Sequence, residues 1–118
     1  MTSAFEVVES YRAALESGNF GAARKLMQDD MIFQGPLDTF TTADQFLTVR
    51  KELASIIQRI DVKKTFVDGD DVCVLYEMVT NTPAGTAFIA EWYQVRGGKI
   101  VALRAVFDAR PFAALFGR

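Results

Sequence analysis

Thr86 to Phe112, TAFIAEWYQVRGGKIVALRAVFDARPF, is the stretch that most restricts what this chain can become. Apolar and polar residues alternate on both sides of Gly97-Gly98, which predicts two long strands joined by a tight turn. In the first strand Ala87, Ile89, Glu91, Tyr93 and Val95 share one face. Glu91 therefore stands in an otherwise apolar row, where a carboxylate is either neutralised by a partner or held for chemistry. A hairpin with one apolar face also needs a cover, which the rest of the chain must supply.

The preceding residues supply helices first. Ser3 and Glu6 form a capping box ahead of an amphipathic helix over about Ala4 to Glu16, with Phe5, Val8, Tyr11 and Leu15 as its inner stripe. Gly18 closes it, and Asn19 opens a second helix, FGAARKLMQ, burying Phe20, Ala23 and Met27. Asp29-Asp30 reads as a solvated turn, Met31 to Gln34 as a strand ended by Gly35-Pro36, and Leu37 to Thr41 as loop. Thr42 with Gln45 caps a third helix through about Ile56, burying Phe46, Val49 and Leu53. From Ile57 the period changes from helical to alternating. Arg59 to Val67 and Val72 to Thr80 read as strands around the turn Asp68-Gly69-Asp70-Asp71. In the second of these, Val74, Tyr76 and Met78 share one face and Cys73, Leu75, Glu77 and Val79 the other. The tail FAALFGR adds one helical turn.

Three helices followed by an antiparallel meander give an α+β domain with the helices on one sheet face. The other face carries Leu75, Val79, Phe88, Trp92 and Val106, and a second copy of the chain is its simplest cover, so a homodimer is expected. The 118 residues suggest one domain. The net charge of −2, without a basic run, argues against nucleic-acid binding. The absence of histidine removes His-based nucleophilic schemes and disfavours zinc, and no cofactor motif is present. Cys73 is the only cysteine, read as a small core residue; a reducing, cytoplasmic location fits. Neither a signal peptide nor an apolar run near the roughly 20 residues of a membrane span is found.

VVESYRAALESGNF in the first helix pair, QDDMIFQGP at the first strand and GGKIVALRAVF in the last hairpin, in this order, resemble the nuclear transport factor 2-like superfamily. The closest likeness is to its SnoaL-like branch, with a more distant similarity to ketosteroid isomerase. The resemblance spans nearly the whole chain. It implies a cone-shaped fold of three N-terminal helices on a strongly curved, mostly antiparallel sheet, with an apolar pocket inside. It also implies site residues. The isomerase's first-helix tyrosine falls on Tyr11 and its hydrogen-bond-donating acid on Glu91. Its apolar pocket wall falls on Val74, Tyr76, Met78, Ile89, Leu103, Ala105 and Phe107. Its general base falls on Gly35, which has no side chain, and two supporting tyrosines appear as Met27 and Val49. The chain is therefore not an intact steroid isomerase.

Two registers remain open for Glu91. A two-residue turn at Gly97-Gly98 sets it opposite Arg104, as a cross-strand ion pair. A three-residue loop with a glycine bulge sets it opposite Leu103, facing the cavity, where desolvation favours the neutral acid as donor to a substrate oxygen. In that case Tyr11 and Glu91 are the candidate catalytic pair, and Phe33 and Phe46 join the pocket wall. Asp38, near the pocket mouth, is a candidate substitute for the missing base, and Asp108 a capping or rim residue. The expected function is binding of a small hydrophobic carbonyl or polycyclic ligand, with acid-base isomerase, cyclase or dehydratase chemistry. The alternative is a non-catalytic binding or dimerisation module on the same fold.

Overall fold

A computed structural model describes residues 2–117. Helix α1 (Ala4–Glu16) starts at the expected capping box: the Ser3 hydroxyl accepts from the Glu6 N–H at 3.1 Å, and the Glu6 carboxylate accepts from the Ser3 N–H at 3.4 Å. Its buried stripe is Ala4, Val7, Val8 and Tyr11. Phe5, expected inside, is 40% exposed. At about 100° per residue Phe5 and Val7 lie on opposite sides of the helix, so a stripe centred on Val7 turns Phe5 outward.

Helix α2 is only Phe20–Lys25, because strand β1 (Met27–Gln34) begins four residues earlier than the sequence suggests. The last hairpin captures this stretch: Met27 pairs with Ile100, and the Ile100 N–H donates to the Leu26 carbonyl at 2.8 Å. Asp29 and Asp30 are thus exposed strand residues rather than a turn, and Asp29 pairs with Arg24 at 2.7 Å. The expected loop contains strand β2 (Thr39–Phe40), paired with β1. Helix α3 (Ala43–Leu53) is capped by Thr42, whose hydroxyl accepts from the Gln45 N–H at 3.1 Å. The Gln45 side chain reaches back to the Thr41 N–H, one residue before the cap.

Strands β3 (Ile57–Asp68), β4 (Asp71–Thr80), β5 (Thr86–Arg96) and β6 (Lys99–Val106) form an antiparallel meander, and helix α4 (Arg110–Leu115) follows. The six-stranded order is β2-β1-β6-β5-β4-β3, with β1 and β6 parallel. Register slips between Ile57 and Arg59, between Val62 and Lys64, and between Gln94 and Val95 bend the sheet and give it its curvature. The concave face carries Val72, Tyr93, Ile100 and Leu103 against Val7, Val8 and Tyr11 of α1, all at or below 1% exposure. This is the helices-on-one-face α+β cone.

The convex face is open. Phe88, Trp92 and Val106 are 57%, 41% and 69% exposed. Cys73 is half-buried on this face opposite Trp92, and so is not the interior residue expected.

The turn at Gly97-Gly98 settles the register, and neither anticipated pairing occurs. Both glycines have positive φ, 60° and 76°, as a two-residue hairpin turn of the primed type requires, and Arg96 pairs with Lys99. A bulge at Val101 then slips β6 by one residue, so Glu91 lies opposite Ala105. Glu91 keeps the inward parity. Arg104 lies on the outer face opposite Trp92, its guanidinium 4.8 Å from the Trp92 ring centre and bonded to Gln34 and Gln94. The Glu91–Arg104 ion pair does not form.

Candidate functional site

Glu91 enters the cone from the middle of β5 and meets a cation that strand-pairing logic could not supply. Arg12, on α1, donates through Nη1 to Glu91 Oε1 at 2.6 Å and to the Tyr93 hydroxyl oxygen at 2.8 Å. The Tyr93 hydroxyl donates to the same Glu91 oxygen at 2.7 Å. The guanidinium carbon of Arg12 sits 4.4 Å from the Tyr76 ring centre. The Arg12 and Glu91 side chains retain only 10% and 14% exposure. Burial by itself would lower the Arg12 pKa, but Tyr93 and Glu91 hold it above its usual value. Burial, then the Glu91 charge, push the Tyr11, Tyr76 and Tyr93 hydroxyls above the ordinary phenol range. The cluster is a charge-compensated network, in which Glu91 is an acceptor from two donors.

Tyr11 is not part of that closed set of bonds. Its ring packs edge-on against Tyr93, with centres 5.9 Å apart. Its hydroxyl makes no hydrogen bond among the described residues and borders a cavity of about 30 Å³, shared with Tyr76, Glu91, Phe46 and Arg50. That volume exceeds the roughly 10–15 Å³ a water requires but is far too small for an organic substrate. The structure brings Tyr11 and Glu91 to one cavity but does not bond them to each other.

A larger opening lies on the other side of Phe46. A cleft of about 260 Å³ runs between α3, the β1–β2 connection and α4. Six aromatic rings line it: Phe33, Phe40, Phe46, Phe107, Phe112 and Phe116. Phe33 and Phe46 have centres 4.8 Å apart, and Phe107 meets Phe112 nearly perpendicularly at 5.8 Å. Leu53, Ile56 and Met78 extend the apolar wall, and Asp38, Arg50 and Glu52 supply the charges. Of the expected wall residues, Phe33, Phe46, Met78 and Phe107 line this cleft, and Tyr76 borders the small cavity. Val74, Ile89, Leu103 and Ala105 border neither; they are 3%, 4%, 1% and 8% exposed and packed into the core. The single apolar pocket anticipated inside the cone is thus divided: the α1 end is filled by the Arg12 network, and the α3 end is open.

Gly35 shows why the base position is empty here. A Cβ at Gly35 would lie 2.9 Å from two atoms of the Phe33 ring. The space that an acidic side chain would occupy belongs to an aromatic wall. Asp38 lies beside Gly35 on the cleft, its carbonyl accepting from the Gly35 N–H at 2.9 Å. Asp108 caps rather than lines: its carboxylate accepts from the Arg110 N–H at 3.1 Å and from Arg110 Nε and Nη2 at 2.9 and 2.7 Å. These bonds fix the start of α4, which brings Phe112 and Phe116 to the cleft.

The sequence reading missed Arg12, Arg50, Phe112 and Phe116. Arg12 was detectable in principle: it is four residues after Val8 and so flanks the true α1 stripe. Arg50 follows Phe46 by the same spacing on α3. No group of three or more acidic, cysteine or histidine side chains suited to a metal occurs among the described residues.

The family of SnoaL-like domains matches residues 8–103. A nuclear transport factor 2-like crystal structure of unknown function from Cytophaga hutchinsonii is 26% identical, with a TM-score of 0.81 over 95% of this chain and 96% of that chain. A protein from Kribbella flavida is 25% identical, with a TM-score of 0.87 over 99% of this chain and 96% of its own. An M. tuberculosis LEH-like epoxide hydrolase, 15% identical, shares the fold, with a TM-score of 0.77 over 98% of this chain and 96% of its own. No curated protein matches the chain. No helix among the described residues is long and apolar enough to cross a membrane.

Proposed function

The chain belongs to the SnoaL-like domain family of the nuclear transport factor 2-like superfamily, and from that premise we propose that it binds a small hydrophobic molecule in the cleft between α3, the β1–β2 connection and α4. The observation that carries this reading is the cleft itself: about 260 Å³, walled by six phenylalanines. It is larger than the roughly 150 Å³ cavity that takes a benzene and just below the roughly 300–1,000 Å³ usual for ligand sites. A bicyclic aromatic or a short branched aliphatic is the size that fits.

Among the two readings of the sequence, the non-catalytic one gains most from the geometry. Glu91 is engaged by Arg12 and Tyr93, Gly35 carries no side chain at the base position, and the small cavity beside Tyr11 admits no substrate. Acid-base work by Tyr11 and Glu91 remains the second reading, favoured by the Tyr11 hydroxyl, which has no hydrogen-bond partner among the described residues at that cavity. The related fold in the M. tuberculosis epoxide hydrolase supports a small-molecule role in general terms.

Titration calorimetry with 2-acetylnaphthalene, a neutral bicyclic ketone, tests the proposal. Micromolar binding is expected, weakened about ten-fold or more by Val49→Trp, which fills the cleft, and unchanged by Tyr11→Phe. Equal affinity in Val49→Trp, with the variant folded by circular dichroism, would place the ligand elsewhere and refute the proposal.

A further inference from the structure

Among the described residues, Arg50 is the one cation shared by the aromatic cleft and the small polar cavity. It also reaches the wide surface depression between the end of α1 and the start of β3. The last full turn of α3 places it there: four residues after Phe46, it points down the same helix face, beside the ring that divides the two cavities. It is half-buried, yet its guanidinium has no hydrogen bond or ion pair among the described residues.

Other arginines near the interior have partners. Arg12 has Glu91 and Tyr93, Arg24 has Asp29 and Asp44, and Arg104 has Gln34 and Gln94. A planar five-donor group held at the inner end of an apolar cleft is suited to a carboxylate, which it can meet with two parallel bonds. We propose that Arg50 is the anion anchor of the cleft, and that the ligand is an amphipathic acid: an apolar body among the phenylalanines and a carboxylate on the Arg50 guanidinium. This deepens the binding proposal and rests on it.

The surrounding charges set the orientation. Asp38 and Glu52 also line the cleft, and Glu16 borders the small cavity. An acid is therefore accepted only with its carboxylate at the Arg50 end. The charge of Arg50 is felt at the Tyr11 and Tyr76 hydroxyls, where it opposes the upward pull of burial on both phenols.

Three ligands with one body separate the possibilities: 2-naphthoate, neutral 2-acetylnaphthalene and cationic 2-naphthamidine. In the wild-type protein, naphthoate should bind about ten-fold or more tightly than the ketone, as one charge-assisted hydrogen-bonded contact provides, and the amidine most weakly. Arg50→Gln should abolish the preference for the acid, read as the ratio of acid to ketone affinity, and Arg50→Lys should restore part of it. Equal affinity of acid and ketone, a preference that survives Arg50→Gln, or a preference for the amidine would each overturn the anchor while leaving the cleft reading standing. Arg50-dependent binding of naphthoate without any binding of the ketone would uphold the anchor and refute the neutral-ligand form of the cleft proposal. Failure of all three to bind would overturn both.

Discussion

Replacing Glu91 by Gln removes one charge from a pair whose side chains are 10% and 14% exposed. The amide keeps an oxygen for the Tyr93 hydroxyl and for Arg12, but it leaves the guanidinium without a counter-charge. Losing the charge-assisted part of two hydrogen bonds is expected to cost about 1.5–3 kcal/mol at pH 7. Arg12→Met leaves the carboxylate buried without its cation and also removes the contact with the Tyr76 face, for about 3–5 kcal/mol. Their combination removes both charges, so its cost should fall below the sum of the two by at least about 1 kcal/mol. Urea unfolding monitored by circular dichroism, with the slope of the transition checked for constancy, measures all four corners of the cycle. Arg104→Met, on the opposite sheet face, should add independently to Glu91→Gln. Two results would refute the reasoning: Glu91→Gln as stable as the wild type or more so at pH 7, or a coupling energy near zero between positions 12 and 91. A coupling of Glu91 to Arg104 instead would show that the register at Val101 is wrong.

Three further outcomes follow from the same geometry. The chain's three tyrosines, Tyr11, Tyr76 and Tyr93, are all buried with raised hydroxyl pKa values. The unfolded chain thus ionises first, and stability falls as pH climbs past about 10, by about 1.4 kcal/mol per pH unit for each tyrosine; ultraviolet titration should show tyrosinate only with unfolding, and its gradual appearance in the folded protein would contradict this burial. The Asp108 carboxyl, held by Arg110 side-chain and then backbone donors, should titrate at about 2 by carbon-detected NMR; the stability it lends α4 is present above the ordinary aspartate value and lost as pH falls through about 2, and a shift that survives Arg110→Ala would remove Arg110 as its side-chain cause. We propose that the open convex face pairs two copies of the chain, so sedimentation at micromolar concentration should show a dimer that Phe88→Asp dissociates; a single species near the 13.1 kDa chain mass would end that proposal.

Alternation along β4 and β5 was enough to put Val74 and Tyr76 on one face of their strand and Ile89, Glu91 and Tyr93 on one face of theirs, because strand parity is a local property of the chain. The capping box at Ser3 and the break at Gly97-Gly98 were legible for the same reason. Register was not. A bulge at Val101 depends on how β6 packs between β1 and β5, and it moved the partner of Glu91 to Ala105 against two reasonable expectations. The start of β1 at Met27 was also hidden, since it is set by pairing with Ile100 and not by local preference. The site suffered most from long-range effects. Arg12 and Glu91 are 79 positions apart, and nothing in either neighbourhood announces the other. The aromatic cleft was half visible: Phe33, Phe46 and Phe107 carried the right parity, while Phe112 and Phe116 reach it only because α4 folds back after Asp108.

The parallel seam between β1 and β6 has a bearing on how the chain is made. Gln34 and its partner Arg104 are 70 positions apart. A ribosome adding about 5–20 residues per second takes roughly 4–14 s to travel that distance. Throughout that interval β1 has only the two residues of β2 beside it, and its buried residues Met27 and Met31 have no finished sheet to join. The meander β3–β4–β5 can assemble by local hairpin closure as it emerges, but the N-terminal strand must wait for nearly the last one. The growing polypeptide therefore carries an unpaired, methionine-bearing strand edge for most of its synthesis, a surface on which holding chaperones act and premature termination fragments aggregate.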